Sequence, residues 1–261
     1  MQKLGAQSNL SGGKLQSAAL DEIRGPAPAQ ACFAAGTLVH TREGLKPIEQ
    51  IKVGDDVLSK PENGGEQAYK RVLKTFAHPP QRVVEVTYVL PGQGQRIITS
   101  PLVVTFNHPF WTKEEGWTPP SRMQGYDVGF FHFEDVEGNS IDYAHVQNIY
   151  ISDQPNVGWT SDYSEVATDG KGPLWDYVDH KLIATNVKAI ESVEYFCDSD
   201  KAFDYLACEF NYPELLDSDL YFKLPVYNLE VEDFHTYYVG KHGLWVHHST
   251  NCQKAAQEVA P

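Results

Sequence analysis

Short runs of β-branched and aromatic residues recur from Thr37 to His247, each cut off by glycine, proline, asparagine or aspartate. Such a chain has little to fold into except antiparallel sheet. The pattern predicts strands at Thr37 to Thr41, Ile48 to Val53, Val57 to Ser59, Val83 to Val89, Val226 to Val231, Thr236 to Val239 and Leu244 to His247. The run Leu102 to Trp111 carries a further strand, ended by the polar cluster Asn107-His108 and Pro109. In Val83 to Val89 apolar and polar residues alternate, as in a strand with one face buried.

Residues 1–31 have a different texture, rich in Gly, Ser, Ala and Gln and closing on Gly25-Pro26-Ala27-Pro28, which reads as a linker. Between about 131 and 222 the chain is acidic and aromatic, with only scattered strand-like pieces, Lys188 to Phe196 being the clearest.

The net charge of −14 repels phosphate backbones and anionic lipid heads, which excludes nucleic acid and membrane surfaces as partners. No stretch is apolar for long enough to span a bilayer, and the first thirty residues lack the basic start and apolar middle of a signal peptide. The four cysteines, Cys32, Cys197, Cys208 and Cys252, show no close metal-binding pairs. Cys197 and Cys208 are read either as a hairpin disulfide or as two half-buried thiols. A metal site built from His247, His248 and Cys252 is disfavoured, because adjacent histidines on a strand point to opposite faces. No cofactor is expected.

Three separated pieces place nucleophilic or basic groups at strand ends: Cys32, then Thr105 to His108, then His235 with His247-His248-Ser249. A thiolate is a strong nucleophile near neutral pH, and the carbonyl nearest to Cys32 is that of Ala31 in its own backbone.

Taken in order, these blocks resemble the Hint superfamily, the self-processing fold of inteins, bacterial intein-like domains and Hedgehog carboxy-terminal regions. Within it the resemblance points to the Hint domains that precede toxin modules in bacterial polymorphic toxins. It rests on Cys32 to Thr37, Gly44 to Ile48 with Val53 to Leu58, Thr105 to Phe110, Val226 to Val231, Phe234 to Val239 and Trp245 to His247.

The resemblance implies an all-β, horseshoe-like fold of two pseudo-twofold subdomains. The Hint domain would span 32–248 with an acidic insertion at about 131–222, between an amino-terminal flank, 1–31, and a carboxy-terminal tail, 249–261. It implies an N-to-S acyl shift that turns the Ala31-Cys32 amide into a thioester, with Thr105 orienting the peptide and His108 protonating the leaving nitrogen. The substrate would be the chain's own flanking segments. The parent would be a toxin-type protein that resides in the bacterial cytoplasm before any export.

At the carboxy-terminal end the resemblance assigns His235 and His247 as activating residues. His248 stands where the family's cyclising asparagine is expected, followed by Ser249, and Asn228 stands where a catalytic aspartate is common. His248 is read as a natural loss that leaves cleavage without splicing, as an engineered block, or as a sign that Asn251 with Cys252 has taken the asparagine's role. The rival reading is a processing-defective Hint scaffold or binding module of a toxin-type protein.

Overall fold

In the computed structural model, residues 30–89, 98–124, 128–160, 171–188 and 219–248 are described. They form an all-β fold, as expected, in which every strand pairing is antiparallel. The strand-like piece Lys188 to Phe196 beyond its first residue, Cys197 and Cys208 with their two readings, the amino-terminal linker up to Ala29, Ser249, Asn251 and Cys252 lie outside the described residues.

Among the described residues, seventeen strands divide between a thirteen-stranded sheet and a four-stranded one. The large sheet is organised on β5 (Ala68–Val89), which takes four partners in turn. Its first half pairs with β4 (Asp56–Ser59) and β15 (Lys223–Val231), its second half with β6 (Ile98–Thr105) and β10 (Ser140–Asn148). The sheet returns on itself twice through β5. One circuit runs from β4 through β2 (Leu38–Thr41), β16 (Thr236–Val239), β17 (Leu244–His247), β7 (Phe110–Thr112) and β9 (His132–Glu134) to β10. The other joins β15 to β6 through the two-residue β1 (Phe33–Ala34).

Proline chemistry marks the hand-over along β5. The register with β15 slips between Gln81↔Leu224 and His78↔Val226, where Pro79-Pro80 faces Pro225. Proline has no N–H for the ladder, so the extra residue is left as a bulge.

Three sequence expectations need correction. Ile48 to Val53 is not a strand; Ile48–Gln50 forms a single 3-10 turn. Thr37 carbonyl accepts the Ile48 N–H at 2.8 Å, and Glu49 turns its carboxylate back to accept the Gly36 N–H, also at 2.8 Å. Val83 to Val89 is not half-buried but buried on both faces, because Tyr177 of the second sheet covers the side carrying Val83 and Glu85 while Thr87 turns its hydroxyl to the His145 carbonyl.

The stretch 131–222 does not stand apart as a whole. Phe131, Phe133, Ile141 and Tyr143 belong to the main core, and β9 and β10 are strands of the large sheet. Only β11 (Tyr150–Ile151), β12 (Val157–Trp159), β13 (Lys171–Asp176) and β14 (Lys181–Lys188) form the separate sheet. The apolar alternation of Ile141 and Tyr143, resumed at Val146 past a register shift, is what draws this hairpin into the core.

The second sheet docks by the turn between β13 and β14. Tyr177 enters an apolar cluster with Cys32, Ala34, Val83, Val103, Ile149 and Phe222. His180 lies over Gly36, whose φ is +80° and where a Cβ would stand 1.9 Å from the imidazole Nε2. Both the turn and the close approach therefore require glycine there.

Candidate functional site

Strand register builds the site. Phe33 is paired with Val104 on one side and Tyr227 on the other. One step back along antiparallel partners brings Cys32 level with Thr105 of β6 and Asn228 of β15. Ala31 and Cys32, 1% and 0% exposed, are thus held between two strands rather than lying in an open loop.

Each backbone group of this joint has a partner. The Cys32 N–H donates to Thr105 Oγ1 at 2.9 Å, and that hydroxyl donates in turn to the Cys32 carbonyl at 3.2 Å. The Thr105 N–H donates to the same carbonyl at 3.0 Å. On the acyl side, Asn228 Nδ2 donates to the Ala31 carbonyl at 2.6 Å. Asn228 Oδ1 is the acceptor for Tyr237 O–H at 2.6 Å and for Leu229 N–H at 2.7 Å.

His108 arrives by the turn after β6, where its N–H donates to the Thr105 carbonyl at 3.2 Å. Its ring packs 4.1 Å from that of Phe33 and is fully buried. Burial pushes its pKa down to about 3, opposed by the neighbouring Ala31 backbone and reinforced by the positive charge that His248 and His247 can carry. Neither ring nitrogen completes a hydrogen bond. His108 is therefore a neutral imidazole at pH 7, its ring set against the Ala31 backbone beside the acyl half of the joint.

The carboxy-terminal residues divide. His248 turns inward, 1% exposed, and stacks on Phe76 with ring centroids 5.5 Å apart; burial lowers its pKa to about 4. Its N–H donates to the His235 carbonyl at 2.7 Å. His247 faces the other way, with Nε2 2.8 Å from Glu62 and its ring 5.0 Å from that of Trp117. His235 has φ 54° and an exposed side chain, so only its carbonyl serves this region. The structure thus brings Ala31, Cys32, Thr105, His108, Asn228 and His248 together and turns the side chains of His235 and His247 away. Among the described residues no group of three His, Cys, Asp or Glu is placed to hold a metal.

Sequence reasoning missed Tyr237. Its one signal is the Tyr237-Tyr238 pair in a strand buried throughout, where a hydroxyl must find a partner in the core.

The all-β fold is the one that the resemblance to the Hint superfamily implies. More particularly, residues 38–162, somewhat under half of the chain, match the family described as the pretoxin HINT domain. Similar solved structures include a bacterial intein-like domain from Clostridium thermocellum, 23% identical with TM-score 0.46, over 84% of this chain and 98% of that one. The gp41-1 intein is 15% identical with TM-score 0.42, over 83% and 98%. A DnaB intein from Synechocystis sp. PCC 6803 is 11% identical with TM-score 0.43, over 84% and 99%. No protein of curated function matches the chain.

Proposed function

We propose that the chain is a single-turnover autoprocessing domain of a toxin-type parent protein, acting on the bond between Ala31 and Cys32. The Cys32 sulfur adds to the Ala31 carbonyl carbon, the C–N bond breaks, and the thiol proton ends on the released Cys32 amine. The product is a thioester that water or another nucleophile can open.

One observation carries this reading: the amide before a buried cysteine is held by side chains on both sides, Thr105 at its nitrogen and Asn228 at its carbonyl oxygen. Such positioning lets an intramolecular attack proceed without a freely diffusing partner, a contribution of about 7–11 kcal/mol to the barrier. His108 would relay the proton from sulfur to the departing nitrogen. As a neutral imidazole it has one nitrogen to accept and one N–H to donate.

In this reading residues 32–248 are the processing domain, with the second sheet inserted after Asn148, and the flanks are its substrate. An imidazole at His248 cannot form the succinimide that releases a carboxy-terminal flank, so the outcome is cleavage at the amino-terminal joint rather than splicing.

Purified protein incubated in dithiothreitol is expected to lose the residues before Cys32 over hours, seen as a new species by intact mass. Cys32→Ala is expected to stay whole, and equal loss from both proteins would refute the proposal.

A further inference from the structure

Aspartate is the residue expected at position 228, and its replacement by asparagine reads at first as a lost function. The hydrogen bonds argue the reverse. An ionised carboxylate has only lone pairs to offer and cannot approach a carbonyl oxygen at 2.6 Å, whereas Asn228 Nδ2 donates there.

Which end of the amide faces Ala31 is not arbitrary. Tyr237 O–H and Leu229 N–H both donate to Oδ1, which fixes that atom as oxygen and commits Nδ2 to the Ala31 carbonyl. All three side-chain and backbone groups lie in the core, with Asn228, Tyr237 and Leu229 each 0% exposed, so none of these bonds is shared with bulk solvent. A donor oriented before the reaction and aimed at the oxygen that becomes negative is the arrangement of an oxyanion hole.

We infer that Asn228 is the oxyanion donor for the tetrahedral species formed when Cys32 adds to Ala31, and that Tyr237 is the positioning residue that keeps its amide turned the right way. This rests on the acyl-shift reading above. The step creates no new co-reactant: the carbonyl π electrons move to oxygen as the S–C bond forms, Nδ2–H stabilises that oxygen, and the pair returns as the C–N bond breaks.

The test measures hydroxylamine cleavage before Cys32 from pH 5 to 8 in the full chain, with Asn228→Asp, Asn228→Ala, Tyr237→Phe and the Asn228→Ala/Tyr237→Phe double variant. Near-ultraviolet circular dichroism reports folding. Asn228→Asp is expected to be about 10²–10³-fold slower than the unaltered chain at pH 8. That deficit is expected to shrink as the pH falls, because a protonated carboxyl regains a donor, a trend that mere packing damage would not produce. Tyr237→Phe is expected to slow cleavage on its own and to add nothing in the Asn228→Ala background.

An Asn228→Asp deficit that does not change with pH would overturn the inference, as would a Tyr237→Phe factor of equal size in both backgrounds. If Asn228→Asp does not fold, the alanine and phenylalanine cycle decides alone. Failure of the unaltered chain to cleave would instead overturn the underlying acyl-shift reading, and this inference with it.

Discussion

Replacing His108 by glutamine is expected to slow hydroxylamine cleavage before Cys32 by about 10²–10⁴-fold, the usual range for loss of a positioned acid–base group. The imidazole is fully buried and the backbone that bears on it is that of Ala31, the acyl half of the reacting joint. Its pKa of about 3 gives the prediction a pH signature. Between pH 5 and 8 the ring stays neutral, and the cleavage profile of the unaltered protein should show no inflection from this histidine.

The same depression has a stability consequence. Unfolding lets the ring regain its ordinary value of 6.5, so the folded state binds fewer protons below that pH. Stability from the neutral ring is fully present above pH 6.5 and is lost as the pH falls toward 3. His108→Gln removes that acid limb while lowering stability at pH 7 through the lost packing on Phe33. Comparing the pH dependence of unfolding with that of cleavage therefore separates the chemical role of His108 from its structural one.

Glu85 is expected to show the opposite sign. It is wholly buried under the second sheet, where Tyr177 donates to Oε1 at 2.5 Å, and burial raises its pKa from 4.5 to about 7. Its strand neighbours across the sheet are Val103 and Gln147. His145, further along β10, has its pKa lowered by its own burial, and Asp176, Asp179 and His180 beside Tyr177 lie toward solvent. Tyr177 is thus the titratable group that bears on the carboxyl.

A raised acid pKa means that the folded state holds the proton longer. The associated stability is fully present below about pH 4.5, falls as the pH rises, and is gone above about pH 7. The span corresponds to about 3 kcal/mol. Glu85→Gln keeps a partner for the Tyr177 hydroxyl and removes the titration. The difference in unfolding free energy between variant and unaltered protein should therefore grow in favour of the variant from pH 4.5 to 7 and then level off. A constant difference across that window would contradict the assignment. Taking the difference matters, because the buried histidines stabilise the fold with rising pH over part of the same range.

Much of this architecture is legible in the sequence because it depends on local chemistry. Thr236–Val239 and Leu244–His247 are bounded as the pattern predicts, since Gly240 and Gly243 close the turn between them. Cys32, Thr105 and His108 are legible because each sits at a strand end within a compact block. The first half of β5 is not: from Ala68 to Arg82 the strand is largely polar, carries two prolines, and from Val72 onward is held by β15, far away in the chain.

Long-range packing hides the rest of the site. Alternation along β17 says that His247 and His248 face opposite ways, but only the tertiary fold says that His248 is the inward one. The polar face of Val83 to Val89 reads as solvent-exposed until the second sheet covers it. Tyr237 looks like ordinary core until its hydroxyl is seen on Asn228, and Asn228 looks like a defect until its amide is seen on Ala31.

The most direct measurement is the mass of the amino-terminal fragment released by hydroxylamine. Attack on a thioester at Ala31 yields residues 1–31 ending in a hydroxamate, together with a fragment beginning at Cys32, and that pair is the predicted result. Release of a fragment ending at another residue, or the same pair from Cys32→Ala, would contradict the claim that this sulfur takes the acyl group from its own backbone.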